Sequence, residues 1–333
     1  MHDLIKRLIV STLIGIIMII IISFLVDLQI ILDNILSLSL EIMIFVSIIY
    51  LCSLLLRSVR YWMLVNSLNG GIKMRTSIGV TFSAYFLSIF LPARIGDGVK
   101  IIHPKKKYTV SYTSTGFALI LEKILDLYCI SFIVFLVVSY IFMAQNIELP
   151  EVSMFFLEIV FFLEILAVFI LIIVTIWGDL LFPLFSSLGR GGDFLILVQT
   201  NYKRSINTFI KNPSILCLSL FVTLIIWLID SICLYFILLD ILKVSDVFLL
   251  PIAVISALFG YLTFIFPISP GNIGSYEFAV ALLFVSLTTV SPAPIIIAAL
   301  IEHGLKTLVH LLFGAPSTFY YSENIMEIFR KNS

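Results

Sequence analysis

The chain has 333 residues, of which 61% are hydrophobic and only 12% charged. Soluble domains carry about 25% charged residues, so that class is excluded. Twenty Lys and Arg balance twenty Asp and Glu, and a formal net charge of zero leaves no case for nucleic acid as a partner. Several apolar runs exceed the roughly 18 residues that mark a spanning helix. The expected fold class is therefore an all-α polytopic membrane protein, with no soluble stretch long enough to add a second function.

His2 to Arg7 is a short charged lead, and the first span runs from Leu8 to Val26. It lacks a small-x-small cleavage site and further spans follow, so it reads as an uncleaved helix. Asp27 and Asp33 then mark an acidic loop. The second span, Ile42 to Val65, carries Arg57 and Arg60 in its last turns, where they read as anchors at a basic face. Arg60-Tyr61-Trp62 is also placed to touch lipid headgroups. Lys73 and Arg75 follow.

The next apolar run, Thr76 to Leu91, stops at Pro92, and Ala93 to His103 is mixed in character. Nine helical residues reach only about 13 Å, against the ~30 Å hydrocarbon core. Basic residues on both flanks, including Lys105, Lys106 and Lys107, imply entry and exit on one side. The segment reads as a re-entrant pair of half-helices. The third span runs from Thr115 to Met143 and the fourth from Val152 to Trp177, with acidic residues Glu148 and Glu151 between them. A polar loop to Asn212 carries Arg190, Lys203, Arg204 and Lys211. The fifth span is Pro213 to Leu239. A second broken pair follows, Val247 to Phe266 and Phe278 to Val290, and the last span is Ala293 to Phe319.

The two breaks echo each other. Pro92-Ala-Arg94-Ile-Gly96 and Pro270-Gly271-Asn272-Ile-Gly274 follow similar lead-ins, Tyr85-Phe-Leu-Ser-Ile-Phe and Tyr261-Leu-Thr-Phe-Ile-Phe. The basic segments share one face, which should be cytoplasmic together with both termini. Each half, 1–147 and 148–333, then holds three crossings plus one broken pair. An odd number of crossings makes the second half an inverted repeat of the first. The four cysteines are scattered singly through apolar runs and read as buried small hydrophobes, with no metal or redox spacing.

Half-helices that meet inside a bilayer present unpaired N–H groups suited to an anion. Arg94 adds a planar donor fork that matches phosphate, and Asp97 and Lys100 lie one turn apart. In the second break Asn272 or Ser275 is placed to cap the following helix, and Glu277 brings a carboxylate toward the cavity. Glu122 and Asp126 share one helix face, with Lys123 able to pair with either. In the last span Glu302–Lys306 and Lys306–His310 are i,i+4 pairs, and His303 lies beside them. Each cluster has two readings, structural ion pairs or the lining of a headgroup or proton path. Asp230 sits mid-span without a local partner and is the weaker candidate, while Glu158 and Glu164 read as packing or snorkelling residues. No zinc-protease helix, nucleophile elbow or P-loop is present, so no metal, cofactor or direct ATP coupling is expected.

With Pro92-Ala-Arg94-Ile-Gly96-Asp97, Glu122-Lys123-Ile-Leu-Asp126 and Pro267 through Glu277, the chain resembles the flippase-like family that shares the transmembrane region of lysylphosphatidylglycerol synthase. It departs from that pattern at Asp97, Asn272 and His303 or Lys306, where glutamate, glycine and arginine are commoner. The resemblance implies a multi-pass cell-membrane protein that binds or moves lipid. The expected substrate contacts are Arg94, Gly96, Asp97, Lys100, Glu122, Asp126, Pro270, Gly271, Asn272, Gly274, Glu277, His303 and Lys306. The leading expectation is a lipid translocase or lipid-binding transport protein rather than an enzyme, acting on an anionic phospholipid or a polyprenyl-phosphate-linked lipid. The alternative is a membrane enzyme or accessory subunit in lipid-linked glycan or glycolipid synthesis. Association into oligomers is left open.

Overall fold

The described backbone is nearly all helix, and proline or glycine marks many of its breaks. The computed structural model describes residues 28–68, 70–108, 110–145, 203–209, 211–244, 247–264 and 270–321, with positions 158, 162, 165 and 166. The expected first span, nearly all of the fourth, most of the loop 178–212, both termini and Pro267 lie outside these residues.

Helix α1 is Leu28–Ser37, so part of the expected acidic loop is helical. α2, Leu40–Ser67, follows at once; its 28 residues reach ~42 Å. At its start the Ser39 N–H donates to Asp240 Oδ2 at 2.8 Å, tying this end to a distant helix. α3 is Met74–Phe90. It ends because Pro92 drives Leu91 out of the helical region, to φ −102° and ψ 128°. A 3-10 turn, Pro92–Asp97, leads into α4, Gly98–Lys107. α5, Tyr112–Gln145, is the longest helix described.

α6, Pro213–Leu242, starts with a proline in its first turn, where no intrahelical donor is lost, and stops at a left-handed Lys243. α7 is Leu249–Leu262, followed by the second break with its 3-10 turn Pro270–Asn272, and then α8, Ser275–Leu287. α9, Pro292–Val309, runs through a π turn, His310–Gly314, into α10, Ala315–Tyr320. Pro316 explains that turn. It has no N–H for the carbonyl four residues back, and the ladder loosens there.

Among the described residues four helical stretches are long and apolar enough to cross a membrane: α2, α5, α6 and α9 with α10. α7 and α8, with 14 and 13 residues, reach only ~21 and ~20 Å and fall short of the ~30 Å core. The protein is an all-α, multi-pass membrane protein in which short half-helices are held between long crossings.

α6 packs along α2 and α7, α7 pairs with α8, and α8 with α9. The α7–α8 approach needs Gly260, because a Cβ there would lie 2.6 Å from both Tyr276 and Val280. One apolar core fills this region, with Leu234, Ile237, Leu258 and Phe284 buried in it. A second, around Tyr61, Leu64, Val80 and Phe117, joins the end of α2 to α3, α4 and α5. Phe132, Phe135, Leu136 and Phe221 face outward in quantities that only lipid accommodates. Cys129 and Cys233 are buried as expected, but Cys52 and Cys217 belong to this outward face.

The second break touches the helix that leads into the first. A Cβ at Gly271, whose φ is +60°, would sit 3.4 Å from the Ile89 carbonyl oxygen at the end of α3. This contact positions the site.

Candidate functional site

Where the breaks meet the long helices, the bundle buries a belt of charge. Arg57 Nη2 on α2 donates to Asp230 Oδ2 on α6 at 2.5 Å. Its guanidinium lies over the Trp227 and Tyr85 rings, 5.0 and 5.6 Å from their centroids. One turn on, Arg60 grips Asp126 of α5 with two donors, at 2.6 and 3.4 Å. Arg60 also donates to Thr223 Oγ1 at 2.9 Å and approaches Glu122 to 3.6 Å. The Trp227 indole N–H adds a donor to Asp126 at 3.1 Å. Both arginines are almost fully buried, so their assignment as anchors at a basic face is corrected. They are structural counter-ions deep in the bundle.

Glu122 accepts from Lys100 Nζ at 3.1 Å, and both are buried. Lys123 does not serve its two neighbours as expected; it lies 3.6 Å from Asp97, which the first break carries. Thus the 3-10 turn and α4 are pinned to α5 by two ion pairs. Gly96 is needed for the same fit, since a Cβ would meet the Ala84 carbonyl at 2.4 Å.

At the second break the cap is neither Asn272 nor Ser275. Glu277 Oε2 folds back to accept the Gly274 N–H at 2.6 Å, and its other oxygen lies 2.7 Å from His303 Nδ1. The start of α8 is therefore already occupied by a carboxylate of its own. Gly274, at φ +88°, makes the approach with no Cβ to strain. Glu302 accepts from Lys306 at 2.5 Å, from Tyr261 at 3.1 Å and from Tyr276. Lys306 also donates to the Asp230 carbonyl at 3.1 Å. Instead of facing Lys306, His310 Nε2 lies 2.7 Å from the Tyr50 hydroxyl, in the π turn.

Beside this belt is a cavity of about 130 Å³, room for about four waters at the ~30 Å³ each takes in the liquid, or for a polar group of similar bulk. Of the expected site residues, the structure brings Asp97, Asp126, Gly271, Asn272, His303 and Lys306 to its wall. Gly96, Lys100, Glu122, Gly274 and Glu277 stand behind them and hold them in place. Arg94 and Pro270 fall in the two 3-10 turns. Glu158 is exposed. Arg57, Tyr50, Tyr85, Trp227 and Tyr261 also line the cavity and were not expected there, and His310 of the last-span polar stripe lines it too. One signal pointed to Arg57: an unpartnered Asp230 in a span requires a cation from another helix.

Among the described residues no group of three or more His, Cys, Asp or Glu could hold a metal ion. The arrangement instead suits a polar group that exchanges hydrogen bonds with the wall.

An apolar helical bundle with charge-paired, cavity-lining half-helices defines a multi-pass membrane protein with a polar cavity inside it. The chain belongs to the family described as the lysylphosphatidylglycerol synthase TM region, which it matches over residues 8–314. It is also 30% identical over 96 residues to the glycosyltransferase AglD of Haloferax volcanii. That match covers 28% of this chain and 15% of the relative's length. No solved structure matches the chain. These findings correct the expectation that the chain is not an enzyme. Its family is named after a synthase and the matched relative is a glycosyltransferase, which makes the family an enzyme-related one.

Proposed function

We propose that this protein is a membrane-embedded enzyme or accessory subunit of lipid-linked glycan or glycolipid synthesis, holding its lipid by the headgroup. The family and the relative support a membrane protein in lipid or glycolipid metabolism. The observation that carries the reading is the cavity, walled by buried, mutually paired charges inside an apolar bundle. Ionisable groups at membrane depth are costly and are kept where they serve a polar pathway or ligand.

In this reading the lipid chains stay in the bilayer while the headgroup enters beside Asn272 and His303. Glu277 fixes the Nδ1 edge of His303, which leaves Nε2 to exchange a proton with a ligand hydroxyl. Arg94, on the turn that carries Asp97, is the proposed contact for a lipid phosphate.

Lipid translocation is the second reading, favoured by the contact between the two broken helices. One experiment separates them. The purified protein is reconstituted with candidate polyprenyl-phosphate sugars and anionic phospholipids, and products and sidedness are followed by mass spectrometry and a fluorescent-lipid assay. A product of changed mass that is lost in His303→Gln supports the synthesis reading; movement without covalent change supports translocation. If neither occurs and no lipid co-purifies, both readings fail.

A further inference from the structure

The cavity is bordered by residues that carry polar atoms the protein itself leaves unmet. Asp230 gives Oδ2 to Arg57, but its Oδ1 is buried without a hydrogen-bond partner. The amide Oδ1 of Asn272, a residue 3% exposed, is in the same state, and Arg57 Nε is a buried donor without an acceptor. All three residues border one cavity. Buried polar atoms in native proteins are nearly always satisfied, so three exceptions in one wall point to a missing partner. That partner must both donate and accept.

Its charge follows from the surrounding pairs. Asp230 is matched by Arg57 at 2.5 Å, Asp126 by Arg60 at 2.6 Å, Lys306 by Glu302 at 2.5 Å and Asp97 by Lys123 at 3.6 Å. An anion entering the cavity meets the carboxylates of Asp97, Asp126 and Asp230, and an ammonium meets Arg57 and Lys306. Neither finds an uncompensated partner on the described wall. A neutral group escapes both penalties. The site is also preorganised, since Trp227 and Tyr85 hold the Arg57 guanidinium in position.

We propose that the cavity takes the neutral, hydroxyl-rich part of a lipid headgroup, a sugar or polyol. Asp230 Oδ1 and Asn272 Oδ1 accept its hydroxyl protons and Arg57 Nε donates to it. This rests on the reading that the protein handles a lipid-linked sugar or glycolipid, and it names the part held in the cavity.

The test uses the full chain in lipid nanodiscs, with Trp62 and Trp177 replaced by Phe so that Trp227 reports on the cavity. Octyl β-glucoside, octyl phosphate and octylammonium are titrated separately below their micellar concentrations. Octyl β-glucoside should give a saturable Trp227 response and bind more tightly than the two charged amphiphiles. Asn272→Gly keeps the positive φ of 58° but removes the amide, and should weaken that binding about tenfold, as loss of one hydrogen bond does. Asp230→Asn should weaken it similarly; if that variant fails to fold, Asn272→Gly carries the result. Tighter binding of octyl phosphate or octylammonium overturns the proposal, as does unchanged glucoside affinity in Asn272→Gly or no saturable response to any of the three. The lipid-linked reading itself fails separately, in the product and sidedness assays above.

Discussion

Arg57 and Asp230 show how a charge is kept at membrane depth, and why it was hard to see. They are 173 positions apart in sequence, and Arg60 and Asp126 are 66 apart. No local pattern links such residues, so two arginines near the end of an apolar run resembled interfacial anchors. Glu302–Lys306, at i,i+4, was legible because the helix itself supplies the geometry. Removing one member of a buried pair costs about 3–5 kcal/mol, because the other charge is left uncompensated. Arg57→Met alone should therefore lower the thermal midpoint sharply in a fixed detergent. Arg57→Met with Asp230→Leu should recover most of the loss, since a well-packed apolar pair replaces a buried ion pair at little net cost. A double variant as unstable as the single one would show that the pair is not the source of the stability.

At the level of elements, both breaks were readable from Pro92, Pro270 and the glycines after them, because a missing donor and, at Gly271 and Gly274, a positive φ leave few alternatives to a turn. The cap was not readable. Glu277 was expected to face the cavity, but a carboxylate three residues into a helix can reach back to an unpaired N–H, and here it does. Glu277→Ala should strand the Gly274 N–H and His303 Nδ1 together and cost about 1–3 kcal/mol. Glu277→Gln retains an acceptor and should lose less. Hydrogen exchange across residues 270–278 measures this: opening should quicken markedly in the alanine variant and only slightly in the glutamine one. Equal protection in both would mean that the break is held by packing alone. The π turn at His310–Gly314 also escaped the sequence reading, since Pro316 sits in a run that is otherwise plain apolar helix. Its effect is local but decisive, because it turns His310 toward Tyr50 rather than along the Lys306 face.

For the whole molecule, the described residues show the same order twice: a half-helix, a Pro-x-x-Ile-Gly break, a second half-helix and a long crossing. The order is α3, α4, α5 in one part and α7, α8, α9 in the other. We propose that the halves 1–147 and 148–333 are related by inversion, with both termini cytoplasmic. The charge asymmetry of the loops is the reason, because the lysines that close α4 have no counterpart between α8 and α9. Inversion makes a firm demand on two exposed positions, Lys107 at the end of α4 and Ser291 in the turn before α9. They must lie on opposite sides of the membrane. With the four native cysteines replaced, Ser291→Cys should react with an impermeant maleimide on intact cells, and Lys107→Cys only after permeabilisation. If both label from one side, the two halves run the same way and the inverted arrangement is wrong. The buried ion pairs and the cavity would stand, but the contact of the second break with α3 would then join parallel half-helix pairs, which removes the support for translocation and leaves synthesis as the better account of the site.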